Sequence, residues 1–554
     1  MHKLLNTYPR WLALLAGGVS ATGFAPLNLW PLTLLCLALL MHLVASANSG
    51  KRAFLIGWLF GVGHFSIGNN WIATAFTYQA AMPAWLGWIA VVLLALYLAV
   101  YPALACWGAW WVAKWVGEKA QNAPVTWSFI FSFAGFWIVT EWLRAWVFTG
   151  FAWNPLAAIR VARHSENFGG YLGSYGASGV IILLNLGVYF LMFRWIVTRK
   201  PTARNEADFE TNSAESAATP IILIFFLFVW VFVLSALFST HNIDENRKLG
   251  PLITVVQPNI SQIDKHSAGY EAVNFARLAQ NSRGKSDEPT LLFWPESATP
   301  WWLEDGYPRQ AYFNQPGGTA AGTRQTIAKL LGPNDLLLAG GDRLEFGADG
   351  KVAGARNSVL VMDAKGEILD TYDKAHLVPY GEYLALRWLL EPLGATRLVP
   401  GAIDFWPGPG PRTLDLPFDG KRIKVGMQVC YEIIFSGQVV DRLNRPDYIF
   451  NPSNDAWFGT WGQPQFLAQA RLRAIEEGLP VIRATPTGIS AVIDADGRID
   501  DSLPFGKAGR IDTFLPPAKG PTLFSRYGNI LPLGFAALLI ALAFLPLVRR
   551  RISG

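Results

Sequence analysis

Three places in this chain of 554 residues set a reactive side chain where a short apolar run gives way to a turn. Glu296 follows Phe293-Trp294-Pro295, Lys374 follows Tyr372-Asp373, and Cys430 follows Gly426-Met427-Gln428-Val429. A free thiol titrates near ~8.5, so at neutral pH it attacks only with a base or a cation beside it. A glutamate can take the thiol proton, and a lysine can hold the thiolate and then an oxyanion. Each residue alone has an ordinary reading: a strand-end acid facing water, a surface lysine, a buried inert cysteine. Together they supply a base, a cation and a nucleophile. A Pro/Gly loop after Lys374 delivers Glu382, which alone reads as a satisfied loop acid. His376 lies nearby, but a lone histidine is more often structural, and no Cys/His/Asn grouping has an equally convincing setting.

The cysteine count narrows the chemistry. There are three, and Cys36 and Cys106 fall in apolar runs, where they read as small buried hydrophobes. Cys430 has no local disulfide partner, and four-thiolate metal sites are excluded. No metal or cofactor is expected.

The elements that position these residues follow an α/β pattern. Short β-branched or apolar runs occur at 252–256, 291–294, 336–339, 359–362, 423–427, 448–450, 481–483 and 491–493. Helical stretches at 270–281, 318–331 and 463–477 lie between several of them. Alternating strands and helices predict a layered α/β domain. Asp363-Ala-Lys-Gly366 and Asp494-Ala-Asp-Gly497 read as turns joining strand pairs.

The rest of the chain has a different character. The protein is 52% hydrophobic, 16% charged, and holds 24 Trp, a residue that favours the membrane–water boundary. Eight apolar segments are predicted as membrane helices, at 11–25, 28–46, 53–69, 84–113, 125–142, 178–197, 220–239 and 528–548. The fourth contains Pro102, which predicts tilt or a kink. Residues 241–520 carry 29 Lys+Arg and 33 Asp+Glu, leaving 17 and 7 for the remainder. The basic excess therefore flanks the apolar segments, and nucleic-acid binding, which needs a basic stripe on the folded domain, is not expected. Lys3, Arg10, Lys51, Arg52, Lys114, Lys119, Arg199, Lys200, Arg204 and Arg549–Arg551 fall on one side of an alternating chain. The positive-inside rule makes that side the cytoplasm, so both termini are inside and 241–520 outside. Arg144, Arg160 and Arg163 dissent. Ala45-Ser46-Ala47 resembles a signal-peptidase site, but two apolar segments precede it, so retention is expected. Residues 201–219 read as a flexible cytoplasmic loop. Glu141 and Arg144, at i,i+3, can pair at a helix end. The Trp- and Gly-rich loop 144–177 reads either as an interfacial loop on the bundle or as a surface receiving a lipid head group.

Glu296, Lys374 and Cys430, in this order and setting, resemble the Glu-Lys-Cys triad of the nitrilase (carbon–nitrogen hydrolase) superfamily. Lys374-Ala-His-Leu-Val-Pro-Tyr-Gly-Glu382, Cys430-Tyr-Glu432, Asn454-Asp-Ala-Trp-Phe-Gly459, Ala470-Arg-Leu-Arg-Ala-Ile-Glu476 and Thr487-Gly-Ile-Ser490 narrow the match. With the apolar segments and Glu141-Trp-Leu-Arg144, the whole chain resembles the apolipoprotein N-acyltransferases, the membrane branch of that superfamily. Three positions depart from the family pattern: His266 where a Trp is usual, Phe466 where a His is usual, and Pro486 in Thr485-Pro-Thr487 where Asn is usual.

The resemblance implies an eight-helix membrane bundle (1–240, with a last helix and basic tail at 521–554) and an αββα nitrilase-like sandwich at 241–520. It implies catalysis by Glu296, Lys374 and Cys430, with Glu382, Tyr431 and Glu432 in support. The donor would be a phospholipid, phosphatidylethanolamine first, and the acceptor the α-amine of a diacylglyceryl apolipoprotein. Acyl transfer would run by a ping-pong route through a Cys430 thioester, in a monomer of the bacterial inner membrane, as the last step of lipoprotein maturation. The rivals are a membrane-tethered amidase hydrolysing a small amide, and a non-enzymatic transporter or lipid-binding scaffold.

Overall fold

A computed structural model describes residues 5, 7–78, 83–117, 125–163, 167–197, 250–267, 269–282, 288–393 and 404–547. The seventh apolar segment, the 201–219 loop, the basic residues at 3, 119, 199, 200, 204 and 549–551, and the side chains of Arg160, Arg163 and His266 lie outside the described residues.

Among the described residues, six helices of twelve or more residues precede the strands: α1 (Pro9–Ser20), α2 (Trp30–Ala45), α3 (Gly50–Gly68), α4 (Leu86–Val116), α5 (Trp127–Arg144) and α6 (Asn167–Val197). Side-chain caps mark the starts of α3 and α5: Ser49 accepts from Arg52 N–H and Thr126 from Phe129 N–H. Helix α4 divides at Ala99 into Leu86–Leu98 and Val100–Val116. Pro102 thus falls in the first turn of the second run, where its missing N–H costs no helix bond. A last apolar helix, α10, spans Ile530–Leu547. Among the described residues, α4 and α10 are long and apolar enough to cross a membrane; the other helices form where expected but do not reach that combination.

The strand region is two six-stranded sheets. The strands are β1 Leu252–Gln257, β2 Thr290–Phe293, β3 Leu336–Phe346, β4 Val352–Asp363, β5 Ile368–Asp373, β6 Thr413–Phe418, β7 Lys421–Met427, β8 Tyr448–Pro452, β9 Val481–Ala484, β10 Ser490–Ile493, β11 Ile499–Leu503 and β12 Gly509–Phe514. The first sheet has the order β12-β1-β2-β3-β4-β5 and the second β11-β10-β9-β8-β7-β6. In each sheet three central strands are parallel (β1, β2, β3 and β7, β8, β9) and the outer pairings are antiparallel.

The period of two along each strand explains the layers. Ile253, Val255, Leu291, Phe293, Leu338, Val359 and Val361 point into a core shared with Val425, Met427, Tyr448, Phe450 and Ile482 of the other sheet. The Phe293 ring is 4.8 Å from that of Phe450, across the two sheets. Burying each such side chain contributes about 1.5–3 kcal/mol. The alternate residues Val256, Leu292, Trp294, Leu337, Leu360 and Met362 pack outward with Leu278 and Ile327, from helices α7 (Glu271–Ser282) and α8 (Ala320–Ala328). Helix α9 (Gly459–Glu477) covers the second sheet and packs on α6. This is the αββα sandwich expected within 241–520. Pro417 sits in β6, an edge strand, where a missing N–H is tolerated.

Candidate active site

Glu296 is carried three residues past the end of β2, and its buried carboxylate is fixed at both oxygens. Oε1 accepts from Asn357 Nδ2 at 2.6 Å, and Oε2 from the backbone N–H of Asn454 at 2.5 Å. The next residue, Ser297, has φ +44, and its hydroxyl donates to Asp342 at 2.7 Å. Gly340 of β3 lies against this turn: a Cβ there would stand 2.0 Å from the Pro295 carbonyl oxygen and 2.8 Å from Glu296 Cα.

Cys430 begins a 3-10 turn, Cys430–Ile434, just beyond β7. It has φ +52, an unusual backbone state for a residue with a side chain, costing of order 1–3 kcal/mol. Surrounding contacts must hold it there. Burial, and then the Glu296 carboxylate, push the thiol well above its ordinary range; Lys374 and a hydrogen bond with Ser453 pull the other way. At rest it is therefore a thiol that needs a base to remove its proton.

Lys374 continues the β5 ladder by one bond, its N–H donating to the Asn357 carbonyl at 2.8 Å. Its side chain is 1% exposed. Nζ donates to Glu382 Oε1 at 2.8 Å and lies 3.6 Å from Glu296 Oε1. Burial acts to lower the affinity of Lys374 for its proton, but Glu382, Glu296 and the Cys430 sulfur reverse this, and the net direction is upward. The ammonium is a fixed charge between two carboxylates and the thiol. Asn357 also donates to Glu382 Oε1 at 3.1 Å, and Glu382 Oε2 accepts the Val378 N–H at 2.8 Å.

Glu432 joins the Cys430 turn to the end of β5 and the residues after Lys374. Its Oε1 accepts from Tyr372 OH, Ala375 N–H and His376 N–H at 3.0, 2.7 and 3.1 Å, and its Oε2 from Val429 N–H at 2.7 Å. Burial raises its pKa to about 7, against the pull of the backbone donors. Tyr431 OH donates to the Gly150 carbonyl at 3.1 Å, and His376 Nε2 lies 3.2 Å from the Thr149 carbonyl with its ring stacked on Phe435 at 3.9 Å. The loop after α5 is thus part of the wall behind Cys430. The i,i+3 ion pair expected of Glu141 and Arg144 is not made. Glu141 instead accepts the Leu156 N–H at 2.8 Å, while Arg144 lies over the Phe65 ring and reaches the Asn154 carbonyl at 3.5 Å. Both are buried, and with Asn154 and Leu156 of the loop they line one cavity.

Residues 16–187 match the family described as Apolipoprotein N-acyltransferase N-terminal domain, and residues 252–509 match Carbon-nitrogen hydrolase. The Apolipoprotein N-acyltransferase of Rhodopseudomonas palustris is 32% identical over 98% of this chain and 95% of its own length. This chain belongs to the apolipoprotein N-acyltransferase family. The Caulobacter vibrioides relative of that name is also 32% identical, over 96% of this chain and 92% of its own. Among solved structures, Saccharomyces cerevisiae Nit3, of the nitrilase superfamily, matches at 19% identity and a TM-score of 0.33, covering 48% of this chain and 90% of that one.

Within this apolipoprotein N-acyltransferase fold, the departure at Phe466 is a packed position. Its ring is buried, lies 5.2 Å from that of Trp153 and 4.8 Å from that of Phe458, and has the Arg483 guanidinium 4.4 Å above it. Arg483 in turn donates to Asn451 at 2.5 Å and pairs with Asp455. Nothing in the sequence marks Asn357 or Gly340 as a site-shaping residue. Asn357 sits mid-strand with no turn or charge pattern near it, so only the folded ladder reveals that it bridges Glu296 and Glu382.

Proposed function

We propose that this chain moves a fatty acyl chain from a phospholipid to the N-terminal amine of diacylglyceryl-cysteine on apolipoproteins, by way of a thioester on Cys430. Full-length similarity to relatives bearing the name Apolipoprotein N-acyltransferase supports the reaction class. One observation carries the residue roles: Lys374 Nζ lies 2.8 Å from Glu382 and 3.6 Å from Glu296, and Lys374 and Glu296 pull the Cys430 thiol in opposite directions.

Glu296 takes the thiol proton, and the thiolate attacks an acyl ester carbonyl, with phosphatidylethanolamine at sn-1 as the preferred donor. Lys374 holds the tetrahedral oxyanion. The C–O bond breaks, the lysophospholipid leaves with the proton from Glu296, and the acyl group remains on sulfur. The acceptor amine then attacks the thioester carbonyl, Glu296 receives its proton, and the C–S bond breaks. The proton returns to sulfur, restoring the enzyme. An amide replaces an ester, so the transfer needs no ATP. Two carriers using one site in turn give ping-pong kinetics.

The architecture suits lipid substrates, because exposing an acyl chain costs about 0.8 kcal/mol per CH₂. In this reading, eight helices (seven in 1–240, the last in 521–554) hold the 241–520 domain at the outer face of the bacterial inner membrane. Both termini are cytoplasmic, and the enzyme works as a monomer. The experiment is to supply purified protein with phosphatidylethanolamine and a diacylglyceryl lipopeptide. N-acylated lipopeptide with little free fatty acid supports transfer; release of free acid alone would favour a hydrolase.

A further inference from the structure

Helix α6 breaks at Gly173, which has φ +66 and ψ 179. The Phe524 ring lies where a Cβ would stand, 2.2 Å from it. Ser174 then starts a fresh helical run, and a helix start presents unpaired N–H groups and partial positive charge. The acceptor comes from another element. Glu476 of α9 accepts both the Ser174 N–H and its hydroxyl on Oε1, each at 2.6 Å. The same oxygen accepts the Ser436 hydroxyl at 2.7 Å, six residues after Cys430.

Arg473, one turn earlier on α9, completes the junction. It donates to Ser174 Oγ at 2.6 Å and to the Ile434 carbonyl, the last residue of the Cys430 turn, at 3.1 Å. Its Nε lies 3.0 Å from Glu476 Oε2. Ser174, Ser436, Arg473 and Glu476 are each no more than 1% exposed. Asn529, the residue before α10, donates to the Ser436 carbonyl at 3.0 Å. The segment following the nucleophile is therefore fastened to two apolar helices, through Glu476 to α6 and through Asn529 to α10.

We propose that Ser174, Arg473 and Glu476 are positioning residues for Cys430, so that the apolar helix α6 sets the geometry of the nucleophile. This rests on the acyl-thioester reading above. A buried ion pair is a costly way to gain stability, and its better-supported use is to fix one arrangement. Here the fixed arrangement is a turn whose first residue, Cys430, sits at positive φ and requires outside support.

The test is the rate of Cys430 acylation, followed by intact-protein mass spectrometry of the full chain in phosphatidylethanolamine vesicles. Wild type, Ser174→Ala, Ser436→Ala and the double variant are compared, with thermal stability measured alongside. Each single variant is expected to acylate about tenfold more slowly, the scale of one lost hydrogen bond to a charged group, with KM for phospholipid unchanged. The double variant should fall short of the product of the two losses, because both hydroxyls act through one carboxylate oxygen. Variants acylating at the wild-type rate, or losses that multiply independently in step with melting temperature, overturn the proposal while leaving the acyl-transfer reading intact. A wild type that never acylates overturns both.

Discussion

Asn357 Nδ2 lies 2.6 Å from Glu296 Oε1, so the carboxylate assigned to take the Cys430 proton is held by an amide from the middle of β4. The same amide nitrogen reaches Glu382 at 3.1 Å. One side chain thus spaces the two acids that flank Lys374. Replacing Asn357 with Ala leaves both carboxylates short of a donor. We expect kcat for acyl transfer to fall by about 10–100-fold with KM little changed, as for an interaction needed in the transition state. Steady-state kinetics with lipid donor held in excess checks this.

Glu382 leads the charges that keep the Lys374 proton bound against burial. Glu382→Gln removes that attraction and moves the lysine's titration downward. If the ammonium must be present to hold the oxyanion, the alkaline limb of the pH–rate profile shifts to lower pH in the variant. A profile of kcat between pH 7 and 10 that is unchanged in shape would contradict this role.

Gly340 has no room for a side chain beside Pro295 and Glu296. Gly340→Ala is expected to displace the Glu296 turn, costing about 1–3 kcal/mol in stability and about 10²-fold in kcat. Thermal melting and acyl-transfer assays on the same preparation separate the two effects.

The fold was legible where side-chain period and turn chemistry are local. The alternation of Leu291 and Phe293 against Leu292 and Trp294 marks β2 and its two buried faces, and Gly366 and Gly497 mark their turns. The three strand-end residues were visible because a strand that runs into Pro295, Lys374 or Cys430-Tyr-Glu has an abrupt change of character. Strand β12 was not, since Gly509–Phe514 alternates weakly and pairs with β1, a partner fixed by the tertiary fold. The contacts of Asn357 with Glu296, and of Ser174 with Glu476 some 302 residues away, have no sequence signature at all. The spacing of Glu141 and Arg144 misled because the loop carbonyls and N–H groups at 154–156 compete for both side chains and win.

Glu477, next to Glu476 on α9, is buried, and burial followed by the charge of Glu476 raises its pKa from 4.5 to about 7. The folded state then binds the proton more tightly than the unfolded chain. Stability from this group is complete below about pH 4.5 and is lost as pH rises to 7. Glu477→Gln removes the titration. From pH 5 to 8 its stability should gain on wild type by roughly 3 kcal/mol, at about 1.4 kcal/mol per unit. Chemical denaturation in detergent at several pH values reads this directly; a constant difference would contradict it.

In the proposed reaction Cys430 carries the acyl group between two lipids. Intact-protein mass spectrometry after incubation with phosphatidylethanolamine follows that carrier. One fatty-acyl mass is expected on the wild type, located at Cys430, absent from Cys430→Ala, and discharged on adding a diacylglyceryl lipopeptide. Full acyl transfer by Cys430→Ala, or an acyl adduct that the lipopeptide never removes, would contradict it.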